Sequence, residues 1–150
     1  MRVLIQVVKD AKVSIDQQVV ATIGKGLVYF VGFSINDDNK IVDRMVDKLV
    51  KLRIFSDENG KTNLNIVQVA GTILSISQFT LYGDVKGGNR PSFVHALAGQ
   101  DSEKLYDYFN EKLRDLGYDI KTGVFGADME VNLTNTGPFT LLLDSEELYG

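Results

Sequence analysis

The sequence GKGLVYFVGF at residues 24–33 contains a nearly continuous apolar run over residues 27–33. Such a run is typical of a β-strand that is buried on both faces of a sheet. The Gly24-Lys25-Gly26 segment before it lacks the spacing and the strand–helix context of a nucleotide-binding loop, so we interpret it as a turn. The stretch therefore predicts a strand inside a sheet that other elements cover.

Short segments on both sides of this run also have strand character. The β-branched residues predict three strands before it and four after it, at residues 2–9, 12–15, 19–23, 72–79, 119–125, 129–135 and 139–143. Asp16-Gln17 is a plausible turn, and Asn59-Gly60 is typical of a tight hairpin. Because hairpins dominate this order, we expect a curved, mainly antiparallel sheet or barrel.

Two segments have helical periodicity. Residues 37–52 place apolar side chains at helical spacing, and Asp37 or Asp38 can cap their N-terminus. Residues 101–116 repeat the pattern, with Asp101 or Ser102 as the cap and Gly117 as the end. No repeat and no linker divides the chain. The sequence predicts one α+β domain over residues 1–150, with two main helices packed on the sheet.

Composition excludes several kinds of chemistry. The 150 residues include no cysteine and one histidine, and the net charge is −4. Thiol catalysis, cysteine-ligated metals and a site built from several histidines in one protomer are therefore excluded. A broad basic face for nucleic acid is not expected. No segment approaches the ~20 apolar residues that span a bilayer, so we expect a cytoplasmic protein without a membrane partner.

Two polar segments are candidates for a functional site. The first, SQFTLYGD at residues 77–84, places polar side chains at the end of an apolar strand, where backbone N–H groups are often exposed. Ordinary strand termination explains it equally well. The second, NTGPFT at residues 135–140, is by itself most simply a turn. His95 has no carboxylate near it in sequence, and we interpret it as a partly exposed or hydrogen-bonded side chain rather than a general base.

Together these segments resemble the D-aminoacyl-tRNA deacylase family, of the D-tyrosyl-tRNA deacylase type. The matching stretches follow the family's order along nearly the whole chain: MRV at 1–3, GKGL at 24–27, SQFTL at 77–81, GNRPSF at 88–93, GVFGADM at 123–129 and NTGPFT at 135–140. One departure is Thr136, where an aspartate is more usual, and we expect it to alter loop hydrogen bonding more than chemistry.

The resemblance implies a homodimer with two active sites at its interface. The reaction would be hydrolysis of the ester between a D-amino acid and the 3′-terminal adenosine of tRNA. The Gly137-Pro138 bond would be cis and would reach into the partner's site. There a rigid wall would reject L-aminoacyl esters by steric clash while accepting glycine, which has no side chain. No cofactor and no metal are implied.

The resemblance also suggests roles for individual residues. The catalytic candidates are Ser77 and Gln78, which would order the terminal nucleotide, and Thr80, which is either a supporting hydrogen bonder or a nucleophile. The backbone N–H groups of residues 78–80 would stabilise the oxyanion, and the ribose 2′-hydroxyl would assist water. The substrate-binding candidates are Phe79, Phe125, Met129, Gly137 and Pro138. Alternatively, Phe79 is a residue of the hydrophobic core and does not bind substrate.

The sequence leaves other roles and functions open. Lys86 and Arg90 lie in the glycine-rich loop, either as phosphate contacts or as solvated charges. A non-catalytic protein that binds the 3′ end of tRNA on the same fold is the alternative function. A structural dimerisation module is a third reading, although it leaves both polar motifs without a purpose.

Overall fold

The computed structural model describes residues 1–150, and β3 lies inside its main sheet, as the apolar run predicts. The strands are β1 (Arg2–Ile15), β2 (Gln18–Ile23), β3 (Gly26–Gly32), β4 (Phe55–Ser56), β5 (Thr62–Leu64), β6 (Thr72–Ser77), β7 (Ile120–Thr122) and β8 (Glu130–Asp144). The helices are α1 (Asn39–Val50), α2 (Gly99–Asp115) and α3 (Ser145–Tyr149), with a one-turn 3₁₀ helix at Phe79–Tyr82.

The sheet is mixed and nearly closed. Its order is β2-β1-β3-β6-β7. β8 pairs with almost the whole length of β1, on the edge opposite to β2 and β3. β1 pairs antiparallel with β2, β3 and β8, whereas the β3–β6 and β6–β7 pairs are parallel. The parallel pairs were not anticipated from the hairpin-like spacing. They arise because the crossover between β3 and β6 contains α1, and parallel neighbours need such a crossover.

Each face of the sheet has its own apolar cluster. The larger one packs α1 and α2 against the sheet and includes Tyr29, Phe33 and Phe109, none more than 1 % exposed. The smaller one joins Val28 and Leu74 to the far half of β1. β3 therefore contributes side chains to both clusters, which explains its lack of polar alternation.

β1 is one strand rather than the two expected at residues 2–9 and 12–15. Val3, Ile5 and Val7 face the larger cluster, whereas Val8, Ala11 and Val13 belong to the smaller one. The pairing with β8 shifts register on both sides of Val8. A bulge of this kind lets one strand exchange its faces without ending. The polar residues Lys9 and Asp10 mark this bend, not a turn.

β8 is also continuous across the gap predicted between residues 135 and 139. Its pairing passes from Thr140, opposite Gln6, to Asn135, opposite Val8. The four residues 136–139 therefore face the single residue Val7. The segment that contains Gly137 bulges out of the ladder, and its peptide bond to Pro138 is cis. Thr136, Gly137 and Pro138 are all exposed.

The helices match the predicted positions with corrections at their ends. Asp38 caps α1, since its Oδ1 accepts a hydrogen bond from Ile41 N–H at 3.0 Å. The predicted cap of α2 at Asp101 or Ser102 is wrong: the helix begins at Gly99, and the cap residue Ala98 offers no side-chain oxygen. Periodicity did not reveal α3, because five residues are too short to show it. No helix of the chain combines the length and apolarity needed to cross a bilayer.

The close approach of β3 and β6 requires glycine at one position. A Cβ added to Gly26 would lie 1.8 Å from the carbonyl oxygen of Thr72, whereas one added to Gly24 would have no neighbour within 4 Å. We expect Gly26→Ala to lower the free energy of unfolding by at least about 1–3 kcal/mol, the cost of overpacking. Gly24→Ala, the matched control, should change it by less than ~0.5 kcal/mol. Urea denaturation measures both, and equal small effects would contradict the close approach.

Candidate active site

A cavity of about 550 Å³ opens beside the carboxyl end of β6, and we call it the main cavity because it gathers most of the predicted site residues. Its lining includes five of the predicted site residues: Ser77, Gln78, Phe79, Phe125 and Met129. The volume lies within the ~300–1,000 Å³ of typical small-molecule sites. The structure thus brings together residues from two motifs that are almost 50 positions apart in the sequence.

β6 ends earlier than predicted, and this shapes the polar edge of the cavity. The strand stops at Ser77 rather than at residue 79, and Phe79–Tyr82 forms the 3₁₀ helix, hereafter the site turn. Gln78 N–H donates to Val31 O at 2.8 Å, so this amide is engaged in the sheet. The N–H groups of Phe79 and Thr80 begin the site turn, where a helix offers no carbonyl partner of its own.

The side chains at this edge are polar but not strongly basic or acidic. Gln78 Nε2 donates to Thr80 Oγ1 at 2.6 Å, and Thr80 is exposed and does not itself line the cavity. The hydroxyl of Thr80 thus has an amide, not a base, as its neighbour. Asp128 is the one ionisable side chain in the lining of the cavity. The donors available at this edge are main-chain N–H groups, hydroxyls and an amide.

Aromatic rings form the apolar walls. Phe79 is 51 % exposed, so the alternative of a core position is wrong. Its ring packs edge-on against Phe93, with 4.9 Å between centroids, and Phe93 also lines the cavity. Phe125 lies 5.9 Å from the ring of Tyr106. Sequence reasoning missed Phe93 as a site residue, although it belongs to the GNRPSF stretch.

Tyr106 packs against Phe125 and so supports this wall of the cavity. Its hydroxyl donates to Ser75 O at 2.8 Å, and Gly123 N–H donates to the same carbonyl at 3.1 Å. Burial raises the pKa of Tyr106, so the hydroxyl keeps its proton and remains a donor. The loop that contains Phe125 is thereby tied to the strand that ends at Ser77.

Gly137 and Pro138 lie away from this cavity. Gly137 lines a separate cavity of about 330 Å³ that includes Val8 and Phe55. Along the sheet the bulge lies between the rows of Gly26 and Val28, whereas Ser77 pairs with Val31. Three to five residues separate these rows, which is roughly 10–17 Å. Within one protomer, therefore, the Gly137-Pro138 segment does not reach the cavity beside Ser77.

Asn135 provides the hydrogen bonds of the bulge. Its Oδ1 accepts from Phe139 N–H and its Nδ2 donates to Thr140 Oγ1, both at 2.8 Å. The hydroxyl of Thr140 also accepts from Gln6 at 3.2 Å. The side chain of Thr136 makes none of these contacts.

The far end of the site turn is attached to the sheet by Arg2. Its Nη1 donates to Leu81 O and its Nε to Asp144 Oδ2, each at 2.8 Å, and its guanidinium lies 4.6 Å from the ring centre of Tyr82. Partial burial acts to raise the pKa of Asp144, but the bonds from Arg2 and from Glu146 N–H outweigh it and hold that pKa below its usual value.

The remaining candidates lie outside the main cavity. Lys86 and His95 are exposed and line a second opening of about 520 Å³, on the Tyr82 side of the site turn. Arg90 is exposed in the same loop. No three His, Asp or Glu side chains cluster where they would hold a metal ion.

The comparisons with known sequences all indicate the same family. The sequence profile described as D-Tyr-tRNA(Tyr) deacylase matches residues 4–144. A D-aminoacyl-tRNA deacylase of Listeria monocytogenes is 49 % identical over 148 residues, which is 99 % of this chain and 98 % of the relative. The protein of the same name from Lactobacillus acidophilus is 51 % identical over 144 residues, or 96 % of this chain and 99 % of the relative.

Solved structures share the fold. A chain titled c-Myc DNA Unwinding Element Binding Protein superposes with a TM-score of 0.91 at 37 % identity, covering 96 % of this chain and 98 % of that one. A probable eukaryotic D-amino acid tRNA deacylase superposes with a TM-score of 0.83 at 18 % identity, covering 95 % and 97 %. The second comparison supports the fold alone.

The contact between Arg2 and Asp144 predicts a pH-dependent stability. Because folding lowers the pKa of Asp144 from its usual 3.8, its stabilisation is present above that pH and is lost as pH falls through the lowered value. We expect Asp144→Asn to lower the free energy of unfolding by about 1 kcal/mol at pH 7, with the deficit shrinking below about pH 4. Urea titrations between pH 3 and 7 measure it. A deficit that is constant over this range would contradict the assignment.

Proposed function

This chain belongs to the D-aminoacyl-tRNA deacylase family, whose members are hydrolases of ester bonds, and we propose that it removes D-amino acids from tRNA in chirality proofreading. The substrate would be the ester between a D-amino acid and the 3′-terminal adenosine. The observation that carries the proposal is the main cavity, whose polar edge is the end of β6 and the site turn. We infer action in the cytoplasm, where aminoacyl-tRNA is used.

The main chain of the site turn supplies the proposed electrostatic catalysis. As the ester carbonyl becomes tetrahedral, its oxygen gains negative charge, which the free N–H groups of Phe79 and Thr80 would stabilise. The Gln78 N–H is engaged with Val31 and is not part of this set. One such donor is worth roughly 2.7–4 kcal/mol of transition-state stabilisation. Because an aminoacyl ester is already activated, few donors suffice.

Water would be the nucleophile, assisted by the 2′-hydroxyl of the terminal ribose. This assignment is supported by the surroundings of Thr80, whose hydroxyl contacts the Gln78 amide rather than a base. A threonine hydroxyl without a base is a weak nucleophile. Ser77 and Gln78 would order the terminal nucleotide, while Phe79, Phe125 and Met129 form the walls of the adenosine and substrate pocket. Stacking on such walls is worth ~1–3 kcal/mol per base.

Selection against L-amino acids would come from Gly137 and Pro138 of a second copy. In one protomer these residues are exposed and lie at the other end of the strands from Ser77. A homodimer that pairs the two ends would place the bulge of one subunit at the cavity of its partner. The side chain of an L-residue would then collide with this wall, whereas a D-residue directs hydrogen there. Glycine would pass, since it has no side chain.

A protein that only binds the 3′ end of tRNA is the alternative function. Hydrolysis of matched D-tyrosyl-tRNA and L-tyrosyl-tRNA, under multiple turnover and with a chelator present, separates the two. We expect many equivalents of D-tyrosine to be released and L-tyrosyl-tRNA to be spared. Stoichiometric tRNA binding without release from either ester would instead establish the binding protein.

The threonine at the site turn gives a test of mechanism. We expect Thr80→Ala to retain kcat within about tenfold of the parent, since the proposed nucleophile is water and the amide of residue 80 remains. Thr80→Ser, which keeps the hydroxyl, is the matched control. Single-turnover hydrolysis of D-tyrosyl-tRNA measures both. A loss of several orders of magnitude in folded Thr80→Ala, with activity kept in Thr80→Ser, would identify Thr80 as the nucleophile.

The bulge gives a test of stereochemical selection. Pro138→Ala replaces a ring with fixed φ by a flexible residue, so the wall should lose its rigidity. We expect hydrolysis of L-tyrosyl-tRNA to rise at least about tenfold, because a loss of only ~1.4 kcal/mol of steric exclusion has this effect. Thr136→Ala, in the same bulge, should leave the selectivity unchanged. L-tyrosyl-tRNA spared equally by both variants would exclude the bulge from selection.

A further inference from the structure

Arg2 is the one side chain that hydrogen-bonds both to the site turn and to Asp144, near the C-terminal end of the chain. Its guanidinium contacts Leu81 O, the ring of Tyr82 and the Asp144 carboxylate. We propose that Arg2 is a positioning residue of the active site, which fixes the direction of the Phe79 and Thr80 N–H groups without touching substrate. This inference rests on the proposed function, because it concerns the same oxyanion donors.

The site turn needs support from outside because its own hydrogen bonds are few. Leu81 N–H reaches Gln78 O at a long 3.4 Å, and Gly83 N–H donates to Thr80 O at 2.9 Å. A single 3₁₀ turn has poor hydrogen-bond geometry and is not stable alone. Thr80 is exposed, and the half-exposed ring of Phe79 packs against Phe93, which is itself exposed, so core packing does not hold this part of the turn.

Two attachments hold the site turn from opposite ends. At its start, Gln78 N–H bonds to Val31 O in β3. At its end, Arg2 bonds to Leu81 O, and Arg2 belongs to β1, the neighbour of β3 in the sheet. The two proposed oxyanion donors lie between these anchors. Tyr82 at the end of the turn is buried, but Arg2 is the one side chain that hydrogen-bonds to the turn's main chain there. Loss of the second anchor would leave that main chain without this bond.

Arginine suits this role better than lysine. Its planar fork directs Nη1 at the carbonyl and Nε at the carboxylate at the same time, whereas an ammonium group is a compact point charge without this geometry. The Asp144 carboxylate is itself fixed, since its Oδ1 accepts from Glu146 N–H at 2.9 Å and its side chain is 10 % exposed. The guanidinium is therefore held in one orientation.

The first experiment compares Arg2→Ala and Arg2→Lys in hydrolysis of D-tyrosyl-tRNA. Since small displacements of catalytic groups can cost ~100-fold, we expect kcat to fall about 10- to 100-fold in both variants, with KM within about twofold. Arg53→Ala is the matched control, because Arg53 Nε also donates to a main-chain carbonyl, that of Asn63, at 2.8 Å but away from the cavity. Its kcat should match the parent.

Two outcomes would overturn the inference. Full activity in Arg2→Lys would show that positive charge, not the fork, matters. A raised KM with unchanged kcat would make Arg2 a contact for the RNA. All assays are made where circular dichroism shows each variant folded, and Arg2→Gln replaces Arg2→Ala if the latter does not fold.

A second measurement needs no substrate and so separates this inference from the proposed function. In ¹⁵N-labelled protein, Arg2→Lys should shift the amide resonances of Phe79, Thr80 and Leu81. It should also speed the hydrogen exchange of Leu81 and Gly83, whose N–H groups are hydrogen-bonded within the turn, whereas Arg53→Ala should leave all of these unchanged. Unaltered resonances would overturn the positioning role even in an active enzyme. If the parent hydrolyses no ester, the proposed function fails while the amide shifts still test the attachment.

Discussion

The parallel hydrogen bonds between β3 and β6 end where Ser77 lies opposite Val31, and the next amide, that of Gln78, still donates to Val31 O at 2.8 Å. Beyond this bond the chain leaves the ladder and turns as a 3₁₀ helix. The pairing requires Gly26, because any Cβ there would collide with the Thr72 backbone. The main cavity, its aromatic walls and the exposed residues at the start of the site turn all depend on where this ladder stops.

A site of this kind needs little from side-chain chemistry. Its lining contains one carboxylate and no histidine, lysine or tyrosine, so the proposed catalysis depends on geometry rather than on acids and bases. Backbone donors are effective only when they are fixed, because preorganisation is the source of their effect. In the proposed mechanism, the contacts of Arg2 with Leu81 O and of Tyr106 with Ser75 O would therefore matter as much as the residues facing the cavity.

Sequence reasoning located most elements and five of the 16 residues that line the main cavity. The apolar run before Phe33, the two long helices and the hairpin at Asn59-Gly60 are all present, since each reflects local periodicity or turn chemistry. The errors in the sheet share one cause. The continuity of β1, the bulge of β8 and the parallel pairs depend on which strand lies next to which, and no local pattern contains that information.

The sequence by itself determined the α+β class, the family through its ordered motifs, and Ser77, Gln78, Phe79, Phe125 and Met129 as candidates for one site. Local spacing and motif identity are sufficient for these. Only the tertiary structure decided that these five residues line one cavity, that Arg2 attaches the site turn, and that Gly137 lies roughly 10–17 Å away along the strands. Those relations depend on pairing between distant segments, which the packing of the whole chain alone establishes.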